Sequence, residues 1–237
     1  MALRTHHGDQ TAMNTPALLS LRHHAVALAA ALLLSACASQ PVPPEWQSSA
    51  FSSLKGFTSA YLTGNQRIAD LELARARTEL ASTGRADWLA KAELTRCAVR
   101  VASLELDDCA SYQPLSVDAG PEAQAYAAYL TGQWSGLNAA LLPEQHRAVL
   151  NRTTGPVLPS IDDPLARLVA AGVLLKMKHL TPADVTLAVD TASQQGWRRP
   201  LLAWLGVQRQ LALEAGQTEV AALAQRRMDL VGQSFDF

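Results

Sequence analysis

Two short stretches of the chain place a serine where it could act as a nucleophile. Ser52 and Lys55 fit the pattern S-x-x-K, in which a lysine one helical turn away helps to activate the serine hydroxyl. The S-D-N and K-T-G elements that such acyl-transfer sites also need do not occur in the sequence. In the segment 132–136, Ser135 stands one place too late for the G-x-S-x-G turn. The sequence therefore predicts a polar helix face around Ser52 and a turn around Ser135.

Histidine and carboxylate chemistry is also poorly supplied. Only His146 and His179 follow residue 24, and no H-x-x-x-H or C-x-x-C spacing brings metal ligands together. The acidic pairs 107–108 and 162–163 stand beside predicted helix ends, where helix capping and the helix dipole explain them. We therefore expect no metal, no cofactor and no enzymatic activity.

Two basic spots are candidates for binding a partner. Arg198 and Arg199 follow Trp197 at a predicted turn, and Arg226 and Arg227 lie on the last predicted helix. Since the two spots belong to adjacent hairpins, they could form one cationic patch suited to an acidic protein or an envelope polymer. The alternative is that these arginines solvate the surface and complement helix dipoles.

The N-terminal region has the order of a secretory signal. Arg22, His23 and His24 precede an apolar run over 25–34, which is far shorter than the ~20 residues that span a bilayer. The run ends in Leu34-Ser35-Ala36-Cys37, and a proline-rich stretch follows. This four-residue motif resembles the lipobox of bacterial lipoproteins at every position. The alternatives are an ordinary soluble secretory signal and a buried helix with a chance cysteine.

The lipobox resemblance implies a processing pathway and a location. It implies that residues 1–36 are removed, that Cys37 is acylated with diacylglycerol, and that 37–44 form a lipidated N-terminus and tether. Ala38, in the place where aspartate favours inner-membrane retention in enteric bacteria, points to the periplasmic face of the outer membrane. Met13 is an alternative start that would leave the mature chain unchanged.

Two cysteines remain once Cys37 is acylated. Cys97 and Cys109 would lie in an oxidising compartment, which favours a disulfide between them. The alternative is a reduced Cys97 in the core, because it shares a helical face with Leu94 and Val101.

Composition and periodicity predict an all-α protein. The chain has 20 basic and 21 acidic side chains, so its charge gives no case for nucleic-acid binding. Apolar residues recur at spacings of three and four, clearly over 165–175 and again at Val220, Leu223, Ala224, Leu230 and Val231. Breakers between such segments divide the chain into about nine helices joined mostly by short turns. Asp163 is predicted to cap one helix, and Thr181 another in a capping box with Asp184.

A weak internal repeat accompanies the helices. The segment 60–64, Ala-Tyr-Leu-Thr-Gly, recurs at 128–132, a shift of twice the ~34-residue tetratricopeptide period. With the Trp204-Leu205-Gly206 segment, this resembles a degenerate tetratricopeptide fold. It implies antiparallel hairpins stacked as a short α-solenoid, in groups 45–152 and 164–237 around a hinge or loop at 153–163.

These features predict a protein-binding adaptor, or an assembly or regulatory factor, of the bacterial envelope. Tetratricopeptide-like lipoproteins commonly serve such roles, and helical solenoids bind partners on their concave faces. One alternative is an enzyme acting on the cell wall or on lipid, with Glu122 or Glu144 as the acid. The other is a carrier with an apolar cavity near 153–162.

Overall fold

The computed structural model describes residues 43–150 and 157–233, and within them the protein is built of α-helices without β-strands. This confirms the prediction of an all-α fold with about nine helices. The described helices are α1 Glu45–Leu62, α2 Gln66–Ala81, α3 Ala86–Ala102, α4 Pro121–Thr131, α5 Glu144–Leu150, α6 Pro164–Lys176, α7 Pro182–Gln194, α8 Arg198–Glu214 and α9 Thr218–Gln233. The predicted signal, Cys37, part of the predicted hinge and the last four residues lie outside the described ranges.

Helix starts follow the predicted capping chemistry. The Asp163 side chain accepts a hydrogen bond from the backbone N–H of Ala166 at 2.6 Å, and Pro164 occupies the first helical position of α6. Thr181 and Asp184 exchange side-chain and backbone hydrogen bonds, which completes the predicted capping box of α7. These contacts satisfy backbone donors that a helix leaves unpaired at its first turn.

Sequential packing and longer-range packing combine in the array. Neighbouring helices α1 and α2, α7 and α8, and α8 and α9 pack side by side. In addition, α3 packs against α6, and α8 contacts α1. Leu94, Leu130, Leu174 and Trp204 belong to one hydrophobic cluster, so helices on both sides of 153–163 share a core.

The contact between α3 and α6 depends on a glycine. A Cβ atom at Gly172 would lie 2.3 Å from the carbonyl oxygen of Val101 and 2.9 Å from its Cγ1. The two helices therefore approach closely at a point where no larger side chain fits. On the neighbouring helix α8, the fully buried Trp204 donates its indole N–H to the carbonyl of Ala102 at 3.0 Å. The end of α3 is thus fixed from two sides.

The repeated pentapeptide has the same local structure in both copies. Tyr61 and Tyr129 are buried at the ends of α1 and α4, and Gly64 and Gly132 adopt positive φ angles of 85° and 80°. Their surroundings differ, because Tyr61 packs under a guanidinium and Tyr129 packs against His146. The repeat therefore codes for a helix ending and not for one common set of tertiary contacts.

Candidate functional site

The predicted disulfide is present and anchors a charged loop. Cys97 on α3 is bonded to Cys109, with their Cα atoms 5.1 Å apart. Cys109 and two nearby residues, Leu104 and Asp108, have positive φ angles although none is glycine. Such angles disfavour L-residues, so the loop after α3 depends on other contacts to keep its shape. The cysteine pair supplies one of these contacts.

Ion pairs supply the others. Arg100 on α3 lies 2.8 Å from a carboxylate oxygen of Glu105 and 2.9 Å from one of Asp107. Asp108 pairs with Lys176 at the end of α6. Glu105 also lies 3.2 Å from Arg199 at the start of α8. The acidic residues of this loop thus hold three helices together, and this explains the 107–108 pair without a catalytic role.

The first predicted basic spot is part of this framework. Arg198 donates through Nε to the carbonyl of Thr63 at 2.8 Å, and Arg199 donates through Nε to the carbonyl of Tyr61 at 2.9 Å. The Arg199 guanidinium also stacks 4.3 Å from the centre of the Tyr61 ring. Trp197 is half-buried and packs against the core clusters. These three residues join the start of α8 to the end of α1.

The second predicted basic spot lies on an apolar, solvent-facing side of α9. Val220, Leu223 and Leu230 are 43%, 52% and 70% exposed, and Arg227 falls between them at the same helical spacing. We call Val220, Leu223, Arg227 and Leu230 the α9 face. Arg226 borders this face and is exposed. No side-chain ion pair or hydrogen bond of Arg226 or Arg227 occurs among the described residues.

The opposite side of α9 makes the contact with the rest of the protein. Ala221 and Ala224 are buried, and Met228 and Val231 pack against the main core. Small residues let α9 lie close to α8, and the larger apolar side chains are left outside. The α9 face therefore combines a contiguous apolar surface with two cations, which is the composition of a helix-docking surface.

A buried histidine cluster lies between α4 and α5, and the sequence reasoning missed it. His146 is 1% exposed and lies 4.9 Å from the ring of Tyr129 and 5.6 Å from that of Tyr126, between ring centres. Burial lowers the pKa of His146 to about 4, although Asp163 acts in the opposite direction. The spacing of Tyr126 and Tyr129, three apart on one helix face, was the available signal. It did not indicate what packs there.

The remaining predicted positions show no catalytic arrangement. Ser52 and Lys55 are exposed on α1, and Ser135 lies in a turn as predicted. Glu122 and Glu144 are exposed carboxylates at the starts of α4 and α5. Within residues 43–150 and 157–233, no three His, Cys, Asp or Glu side chains are grouped to hold a metal ion.

Length and hydropathy separate the described helices from membrane spans. None of the helices in the described part of the chain is both long enough and apolar enough to cross a bilayer. Comparison with known protein families, with curated proteins and with solved structures finds no match for this chain.

Proposed function

We propose that this chain is a lipid-anchored protein of the bacterial envelope that binds a protein partner through the α9 face. The observation that carries the proposal is the exposure of Val220, Leu223 and Leu230 on the last helix of the array. Terminal elements of helical arrays normally present a polar outer surface, because an apolar one promotes association. An apolar outer surface here is therefore explained by a partner that covers it.

The spacing and charge of the α9 face define the partner's chemistry. Residues 220, 223, 227 and 230 alternate steps of three and four, the pattern that receives a second helix side by side. Arg226 and Arg227 have no acidic partner among the described residues, so the incoming helix should carry Asp or Glu next to its apolar side chains. The proposed partner is thus an amphipathic, acidic helix of an envelope protein.

The anchor is the second part of the proposal. Acylation of Cys37 would hold the domain at the outer membrane by a tether over 38–44, and several acyl chains anchor far more firmly than one. Metabolic labelling with an alkyne fatty acid tests it directly. Label on the wild type and none on Cys37→Ala is expected, whereas label on neither protein would overturn the anchor.

Site-specific photocrosslinking in cells tests the binding face. A photoreactive amino acid at Leu223 should capture one envelope protein, and the crosslinked peptide should map to an acidic amphipathic helix. The matched control is the same probe at Ala222, which is exposed on the same helix but lies away from the α9 face. Replacing Arg226 and Arg227 by glutamate should remove the crosslink.

Three results would contradict the proposal. Equal capture from Leu223 and Ala222 would show that the α9 face has no special affinity. Crosslinks only to a second copy of this chain would make the face a homodimer interface instead. Retention of the crosslink in the charge-reversed variant would remove the acidic character assigned to the partner.

A further inference from the structure

A cleft separate from the α9 face opens between α3, α4 and the segment that leads into α5. Its volume is about 570 Å³, inside the range of roughly 300–1,000 Å³ typical of small-molecule sites. Leu94, Ala123 and Leu142 form a floor that is itself part of the core, and Tyr126 and Leu141 line the walls. The cleft therefore offers an apolar surface that is open to solvent.

The mouth of this cleft is charged. Lys91 and Arg147 line it together with Glu122, and all three are exposed. None of them takes part in a salt bridge within the described residues. Arg147 donates through Nε to the carbonyl of Leu142 at 2.9 Å, which holds its guanidinium beside the cleft floor. Cations thus outnumber carboxylates around the opening, with no intramolecular acid to neutralise them.

The wall of the cleft is held in place from behind. The Tyr126 ring stacks against His146 at 5.6 Å and against Tyr129 at 6.1 Å, between ring centres. Trp134 stacks on the other neighbour, Tyr129, at 5.8 Å and donates its indole N–H to the Tyr129 carbonyl at 3.1 Å. A wall fixed by a buried aromatic cluster is preformed, so a ligand would not have to order it.

We propose that this cleft binds a small anionic amphiphile, a molecule with an apolar chain and one carboxylate or phosphate head group. The chain would lie on Leu94, Ala123 and Leu142, and the head group would bind Lys91 and Arg147 at the mouth. Arginine pairs with both head groups in a two-pronged geometry, and lysine adds a point charge. Glu122 at the same mouth disfavours a head group of high negative charge.

Calorimetric titration of the purified mature chain tests the proposal. The probes are dodecanoate and dodecyl phosphate, used below their micelle concentrations, with dodecanol as the uncharged control. We expect saturable binding of at least one anionic probe and much weaker binding of dodecanol. The tighter of the two anionic probes identifies the head group as carboxylate or phosphate.

Variants locate the binding. Lys91→Gln and Arg147→Gln should each weaken binding of the anionic probe roughly tenfold, the effect of losing one charged contact. Lys55→Gln is the matched control, because Lys55 is an exposed lysine on α1 that does not line the cleft. Thermal unfolding of each variant verifies that the fold is retained, as expected for exposed side chains.

Several outcomes overturn the proposal. No binding of either anionic probe would show that the cleft is not a site for amphiphiles. Dodecanol binding as tightly as the anions would remove the role of the cations. Unchanged affinity in both Lys91→Gln and Arg147→Gln would place the bound probe elsewhere on the molecule.

Discussion

Helices α6 and α9 have the same apolar periodicity and opposite surroundings. On α6, Leu168 and Val169 are fully buried, because α3 and α7 pack on either side of this helix. On α9, Val220 and Leu230 remain 43% and 70% exposed, and α8 supports the helix through small residues. The comparison teaches that helical spacing shows that a helix has an apolar side but not what covers it.

Close packing at Gly172 should give the largest effect on stability. Gly172→Ala places a methyl group against the backbone of Val101, which cannot move aside as a flexible side chain can. We expect a loss of about 3 kcal/mol in the free energy of unfolding, at the upper end for overpacking. Urea denaturation followed by circular dichroism measures it.

Gly206→Ala is the matched control for this change. Gly206 lies within α8, and a Cβ there meets nothing within 4 Å. Alanine favours a helix over glycine by about 1 kcal/mol, so this variant should be unchanged or more stable. Equal losses in the two variants would show that the close approach of α3 and α6 does not limit stability.

Removing the disulfide should have the next largest effect. With Cys97→Ala and Cys109→Ala combined, the loop between them is no longer closed in the unfolded chain, at a cost of about 3 kcal/mol from loop-closure entropy. The ion pairs of Glu105 and Asp107 offset part of this loss because they still hold the loop. We therefore expect a net loss of about 2 kcal/mol by urea denaturation.

The native protein in a reducing agent is the control for this prediction. Its unfolding midpoint should fall toward that of the double variant, since both lack the covalent link. If the double variant unfolds at the same urea concentration as the oxidised native protein, the link contributes nothing to stability.

The buried histidine should make stability depend on pH. His146 has an ordinary pKa near 6.5 when unfolded and about 4 when folded, so the unfolded chain binds the proton more readily. The free energy of unfolding should therefore fall as the pH decreases from about 6.5 to 4, by roughly 2–3 kcal/mol from this residue.

His146→Phe isolates this contribution. Phenylalanine keeps an aromatic ring among Tyr126 and Tyr129 but does not titrate, so the variant should lose less stability over the same pH range. Urea denaturation at several pH values, compared between the two proteins, measures the difference. Parallel pH profiles would show that His146 is protonated equally in the folded and unfolded states.

Substitutions on α9 should have the smallest effect on stability and the largest contrast within one helix. Leu223→Gln and Leu230→Gln change exposed side chains and should shift the free energy of unfolding by less than about 0.5 kcal/mol. Ala224→Gln, on the buried side of the same helix, should lower it by about 2 kcal/mol. Chemical denaturation measures all three. A large loss in the leucine variants would mean that the α9 face is covered by the chain itself.

Local chemistry made part of the fold predictable. Proline and a capping side chain marked the starts of α6 and α7, and the even pair Cys97 and Cys109 indicated the disulfide that is present. Each of these features acts over a few residues or follows from simple counting. Contacts between distant segments were not predictable in this way.

The candidate sites illustrate the limit. Arg198 and Arg199 were predicted to bind a partner with Arg226 and Arg227, and that role stays a prediction. The structure shows in addition that Arg198 and Arg199 hold α8 to carbonyls at the end of α1, more than 130 residues earlier in the chain. The cleft near Tyr126 was not predicted, because its walls come from three separate segments.

The sequence by itself determined the helices, their capped starts and the cysteine pair, because periodicity and capping depend on residues within one or two turns. Only the tertiary structure decided that α3 lies against α6, that His146 is buried, and that Leu223 and Leu230 face solvent. The reason is physical: each amphipathic helix can bury its apolar side against several others. Which one it meets depends on close contacts such as that of Gly172 with Val101, where atoms far apart in the chain must fit.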